Sequence, residues 1–205
     1  MSSLPLPHVA VVLAAGGSRR LGRSKQLLAR DGETLVHRAV RMALATQPAR
    51  VLLVVGGDAG AVRAAVTDLD VEVVFNTAWE EGLASSVRAA ASALAGSQMP
   101  CLLLGCDQPA LQVSHLRDLL DGASVSGSAC AATLHGEGLG IPVVVSPVVL
   151  AAARDLVGDR GLRAVLQRLP RESIYLLDAS ELQFDLDTPE DVRTAVERGW
   201  LDRSI

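Results

Sequence analysis

Apolar residues fall in short runs separated by stretches with helical spacing. Val9–Leu13, Arg50–Val55, Val71–Phe75 and Cys101–Leu104 read as buried strands. Between the first two, Thr34–Ala45 carries Leu35, Ala39, Met42 and Ala43 at helical spacing and ends near Gln47-Pro48. Ala59–Leu69, the alanine-rich Gly82–Ala95 and Val113–Leu120 read as further helices. Buried aliphatic strands alternating with helices imply an α/β domain, with a mostly parallel sheet and helices on both faces. The loops after the first and fourth strands should then open onto one edge, where ligands bind in open α/β sheets.

The second half is less regular. Ala129–Leu134 and Ile141–Val145 read as strands around a Gly136-Glu-Gly138 turn. Pro147–Leu156 and Leu162–Leu169 read as helices separated by Gly158-Asp-Arg-Gly161, and Ile174–Leu177 and Gln183–Leu186 as short strands. Thr188-Pro-Glu-Asp191 opens a last helix, with Thr188 as N-cap, Pro189 at the first position and acids in the first turn. No repeat or long linker interrupts residues 1–205, so a single domain is expected, its second half completing the sheet and roofing the crevice.

Composition narrows the function. Hydrophobic residues make up 49% of the 205, enough for a core. With only five aromatic residues that core is aliphatic, and stacking platforms for single-stranded nucleic acid are lacking. A net charge of −4 argues against a general polyanion-binding surface. No run of about 18 apolar residues suggests a membrane span. Three cysteines without a C-x-x-C pair, and an N-terminus unlike a signal peptide, make a cytoplasmic location the expectation.

Positive charge gathers instead after the first strand, in Leu13-Ala-Ala-Gly-Gly-Ser-Arg-Arg-Leu-Gly-Arg-Ser-Lys25. Small residues let backbone N–H groups approach a phosphate, and Arg19, Arg20, Arg23 and Lys25 add charge at the same place. Gly17 and Gly22 have Walker spacing, but Arg23-Ser24 follows in place of Lys-Ser/Thr, and the G-x-G-x-x-G dinucleotide spacing is absent. Asp107 follows the fourth strand at the same expected edge. Alone, it reads first as a turn-former beside Pro109. Facing a triphosphate, its carboxylate would call for Mg²⁺, which binds one or two carboxylates together with substrate phosphates. Alternation along the strand expected at Gln183–Leu186 puts Asp185 and Asp187 on one face, where one or both could complete the metal site. Asp187 reads equally as a helix cap, and the helix dipole accounts for Glu190 and Asp191.

Leu-Ala-Ala-Gly-x-Ser-x-Arg-x-Gly-x-x-Lys resembles the opening of the nucleotidyltransferases related to molybdopterin guanylyl- and cytidylyltransferases. Asn76-x-x-Trp-x-x-Gly-x-x-x-Ser86, Gly105-Cys-Asp-Gln-Pro109, Gly140-Ile-Pro-Val143, Gly158-Asp-Arg-Gly161 and Asp185-Leu-Asp-Thr-Pro-Glu190 follow in that family's order. The resemblance implies a Rossmann-like fold of the nucleotide-diphospho-sugar transferase type. It also implies Mg²⁺-dependent nucleotidyl transfer to a phosphorylated acceptor with release of pyrophosphate. Ala14-Ala15 and the acids Asp185 and Asp187 resemble the cytidylyl branch, so CTP is expected ahead of GTP, and molybdopterin as the acceptor. By this resemblance Leu13, Ala14, Ala15, Gly16, Gly17, Ser18, Gly22, Lys25, Gly82 and Ser86 would hold the nucleotide. Arg20, Lys25 and Asp107 would act at the reacting phosphates, and Asp107 with Asp185 or Asp187 would hold the metal.

His135, Gly140, Pro142 and Arg160 are the expected acceptor contacts. Arg163 shares the Gly158–Gly161 turn's chance of meeting an acidic acceptor, while Arg19 and Arg23 are expected on the solvent side. Trp79 and Trp200 read equally as packing anchors or ligand contacts. Two alternatives stay open: a sugar phosphate, polyol phosphate or other phosphorylated metabolite as acceptor, and a non-catalytic accessory protein delivering cofactor to a molybdoenzyme.

Overall fold

The computed structural model describes residues 6–136, 138–155 and 162–203. Its strands are β1 (Val9–Ala14), β2 (Ala29–Arg30), β3 (Glu33–Thr34), β4 (Val51–Val55), β5 (Glu72–Phe75), β6 (Cys101–Gly105), β7 (Cys130–His135), β8 (Gly138–Val145) and β9 (Ile174–Leu177). Its helices are α1 (Leu35–Leu44), α2 (Ala59–Ala64), α3 (Leu83–Ala93), α4 (Val113–Val125), α5 (Pro147–Ala152), α6 (Arg163–Leu166) and α7 (Pro189–Glu197). Seven strands form one sheet in the order β5-β4-β1-β6-β8-β7-β9, with β8 alone antiparallel to its neighbours. The expected α/β architecture is therefore present.

Strand alternation splits the core between two faces. Val9, Val11 and Leu13 of β1 pack with α3, α5 and α6. Ala10, Val12 and Ala14 pack on the other face with α1, α2 and α4. A third, smaller cluster joins Leu21, Leu28 and Leu35 to Leu186 and to Val192 and Ala195 of α7, anchoring the loop after β1 to the C-terminal helix. The Thr188 hydroxyl and Asp191 carboxylate cap α7 reciprocally, as its first turn predicts.

Two local departures matter for the site. Gln183–Leu186 is not a strand: a 3₁₀ turn covers Ser180–Gln183, and Phe184 to Asp187 lie outside the sheet. Backbone groups here serve the Asp107 loop instead. Leu186 N donates to Asp107 O (3.0 Å), and Leu182 O accepts from Gln108 Nε2 (2.7 Å). The second departure is β8, which begins at Gly138 rather than Ile141. Its pairing with β6 runs from Cys101–Val145 to Leu103–Val143, so its antiparallel course carries Gly138–Ile141 past that ladder, toward the C-terminal end of β6.

The short β2–β3 hairpin, turned by Asp31 and Gly32 at φ +56° and +76°, leads directly into α1. Glu33 there receives a two-pronged bond from Arg41 (2.7 Å to each oxygen) and contacts His37 Nδ1 (2.6 Å). Arg41 holds the Glu33 carboxyl down at about 2 against the opposing effect of burial, and His37 assists. The resulting stability is present above the ordinary carboxylate pKa of about 4.5 and is lost as pH falls toward 2. Glu33→Gln should lower stability by ~1 kcal/mol at pH 7. In urea titrations, the gap from wild type should narrow as pH is lowered from 5 to 3 and close only toward 2.

Candidate active site

β1 and β6 are neighbours in parallel register, with Leu13 opposite Gly105. The loop after β1 and the loop carrying Asp107 therefore leave the sheet side by side. The first loop is held by Gln26, a buried residue that sequence reasoning passed over. Its Nε2 donates to Ala14 O (3.1 Å) and Gly16 O (2.6 Å), and its Oε1 accepts from Ser24 Oγ (2.8 Å) and Ser18 Oγ (3.3 Å). Ser18 sits at φ +47° and its Oγ accepts from Lys25 N (3.0 Å), closing the loop on itself.

Lys25 links the loops. Its ammonium lies 2.7 Å from Asp107 Oδ2 and 3.1 Å from Asp187 Oδ1. Burial disfavours its charge, but Asp107 and Asp187 outweigh that and hold its pKa above the ordinary lysine value. Arg20 pairs with the other Asp187 oxygen at 2.7 Å. Arg19 pairs with Glu80 at 2.6 Å and lies over the Trp79 ring, its side chain largely exposed as expected. Room for Asp107 comes from Gly105, where a Cβ would stand 2.6 Å from Asp107 Oδ1.

Two cavities open at this edge. The first, about 660 Å³, is lined by Leu13, Ala15–Arg20, Lys25, Gln26, Trp79, Glu80, Gly82, Ser86, Asp107 and Asp187. The second, about 730 Å³, is walled by Leu139, Ile141, Val143, Leu162 and Leu166, with His135, Arg163, Gln167 and Asp185 among them. Leu83, Asp107 and Ile141 line both, so the cavities meet at Asp107. Asn76, buried beneath the first cavity, donates to Ser85 Oγ (2.8 Å) and Ser86 Oγ (3.1 Å), orienting the start of α3.

Leu13, Ala15, Gly16, Gly17, Ser18, Arg20, Lys25, Gly82, Ser86, Asp107 and Asp187 thus gather around the first cavity. Ala14 does not, because strand alternation turns its methyl into the α1/α4 face of the core. Gly22 is exposed at φ +73°, where it shapes the loop's turn. His135 and Gly140 line the second cavity, whereas Pro142 is buried and offers its carbonyl to Thr133 Oγ1 (2.8 Å). Arg160 lies outside the described residues. Without a strand at Gln183–Leu186, Asp185 and Asp187 do not share a face: Asp185 faces the second cavity and Asp187 the first.

Burial, with Asp107 and Asp187 nearby, pushes the Asp185 carboxyl well above its usual range. The carboxylates thus have a surplus of negative charge, and the Lys25 ammonium stands where a cation is wanted. Among the described residues, no three His, Cys, Asp or Glu are grouped to hold a metal by themselves. The donor set suits an ion that takes one or two carboxylates and completes its shell from phosphates and water, as Mg²⁺ does.

Residues 10–173 match the model of the MobA-like NTP transferase domain. The chain belongs to this family. It is 34% identical to nicotine blue oxidoreductase of Paenarthrobacter nicotinovorans, over 95% of this chain and 96% of that protein. It is 28% identical to the molybdenum cofactor cytidylyltransferase of Escherichia coli, over 92% and 95%. The structure of Rv0371c from Mycobacterium tuberculosis in complex with manganese superposes at a TM-score of 0.75, with 27% identity over 93% of this chain and 98% of that one. Fold, site and family together make the protein a nucleotidyltransferase.

Gly105→Ala tests the geometry without removing a charged group. Its methyl would displace the Asp107 carboxylate and lower nucleotidyl transfer by about 100-fold, the scale of a 1 Å misplacement. Circular dichroism and thermal melting should show the fold retained.

Proposed function

We propose that the protein is an Mg²⁺-dependent cytidylyltransferase, transferring CMP from CTP to a molybdopterin-type acceptor with release of pyrophosphate. The observation that carries this reading is the pair of cavities meeting at Asp107: one rich in loop backbone and cations, the other largely apolar. A triphosphate suits the first. The second suits a heterocyclic body better than a sugar or polyol, whose many hydroxyls would need more partners than its aliphatic walls offer. Resemblance to the Escherichia coli cytidylyltransferase supports both substrates.

In this reading Arg20, Lys25 and the loop N–H groups bind the triphosphate, while Gly82 and Ser86 leave room for a pyrimidine. The acceptor's phosphate monoester, already ionised at neutral pH, needs no strong general base. Its oxygen forms a bond to the α-phosphorus as the bond to pyrophosphate breaks, and catalysis is positioning and charge neutralisation. Mg²⁺ held by Asp107, with Asp187 or Asp185, would neutralise charge developing at the α-phosphate. Cys106, whose thiol pKa is raised by burial and by Asp107, stays protonated and takes no part.

The test is incubation with labelled CTP, Mg²⁺ and molybdopterin, following pyrophosphate. Release with CTP in preference to GTP is expected, and Asp107→Asn should lower the rate at least about 100-fold. No release alongside an active control enzyme would sink the proposal. The relative named nicotine blue oxidoreductase favours one competing reading, an oxidoreductase acting on a compound of that kind. Redox turnover of nicotine blue by the purified protein, and no pyrophosphate release, would favour it.

A further inference from the structure

The cations of the two cavities differ in what neutralises them. Arg19, Arg20 and Lys25 each face a carboxylate. Arg163, in the second cavity, has no ion-pair or hydrogen-bond partner among the described residues. Its guanidinium is nevertheless placed: it lies against the backbone of Gly138, where an added methyl would overlap both Nη atoms and Cζ.

Gly138 and Gly140 are two residues apart on β8 and so present the same face. His135 stands opposite Gly138 in the β7–β8 ladder, and its ring lies on Gly140, 2.5 Å from where a Cβ would stand. Two glycines thus form a shelf seating an imidazole and a guanidinium in the wall of one cavity. Burial and the charge of Arg163 both favour the neutral imidazole, against a backbone hydrogen bond at Ile141. The shelf consequently carries one positive charge, on an exposed arginine at the edge of a largely aliphatic cavity, where an anion would meet a charge-assisted hydrogen bond.

We infer that Arg163, seated on Gly138, is a specificity-determining residue that binds a second negative charge on the body of the acceptor, separate from the phosphate that reacts at Asp107. This rests on the reading that the second cavity receives the acceptor. It narrows the substrate class to phosphorylated compounds whose body is itself anionic, and it disfavours neutral polyol phosphates.

Direct binding tests this without turnover, by fluorescence titration with two pterins that differ in charge. Wild type should bind pterin-6-carboxylate about ten-fold or more tightly than 6-hydroxymethylpterin, the range for a charge-assisted hydrogen bond. Arg163→Gln should abolish that preference, and Arg163→Lys should keep part of it. Gly138→Ala should also abolish it by displacing an intact guanidinium; if that variant fails to fold, Arg163→Gln decides. Equal binding of the two pterins by wild type, binding of neither, or a preference that survives Arg163→Gln overturns the inference. Failure of pyrophosphate release would overturn the cytidylyltransferase reading and leave this result to stand separately.

Discussion

The Lys25 ammonium between Asp107 and Asp187 is the constraint on which the site depends. It ties together three segments far apart in sequence: the loop after β1, the loop after β6 and the lead into α7. Each brings a group that is costly to bury alone. A partly buried carboxylate beside another needs a cation, and a partly buried ammonium needs acceptors. The hydrogen bond from Leu186 N to Asp107 O and the two bonds from Gln108 fix the backbone around this bridge. Side-chain charge and backbone pairing therefore support one arrangement.

One consequence is that the first cavity is electrostatically satisfied before any substrate arrives. Arg20 and Lys25 are the cations best placed for phosphate, and both are paired with Asp187. A triphosphate alone must compete with carboxylates for them. In the proposed reading a divalent cation alone would compete with Lys25 for Asp107. Arriving together, each ligand would take up the partner the other displaces, so that the binding of one would lower the cost of binding the other. Among the described residues the second cavity shows no such pairing at Arg163, and the two halves of the site differ accordingly in how they meet an anion.

Much of the first cavity was legible in the sequence because its determinants are local. A buried strand, a glycine-rich loop and a lysine twelve residues beyond Leu13 stand in one stretch, and β6 ends at the same edge for topological reasons. The cap of α7 was legible for the same reason, since Thr188 and Asp191 lie three residues apart. Gln183–Leu186 misled because its apolar alternation has another cause: Leu182 packs with the α4 face and Leu186 with α7. The motif position of Ala14 did not say which face its side chain takes, and its methyl packs into the core. Gln26 left no signal because its partners are backbone carbonyls and hydroxyls that only the fold assembles, and Asn76, though part of a motif, gave no hint that it would bind Ser85 and Ser86.

Space, as much as charge, was hidden from the sequence. Gly17, Gly56 and Gly57 together form the slot for the Trp79 ring, and a Cβ on Gly17 or Gly56 would stand within 2.6 Å of that side chain. Gly105 does the same for Asp107, and Gly138 and Gly140 for the second cavity. Such glycines are enforced less by backbone angle than by what lies across from them: of these six, none has a positive φ. Their partners come from other segments, so a reading confined to local spacing sees only flexible loops. In the folded chain these glycines let an indole, a carboxylate, an imidazole and a guanidinium sit directly on main chain. The positions of the charges then follow from close packing, and the chemistry of the site follows from the positions of the charges.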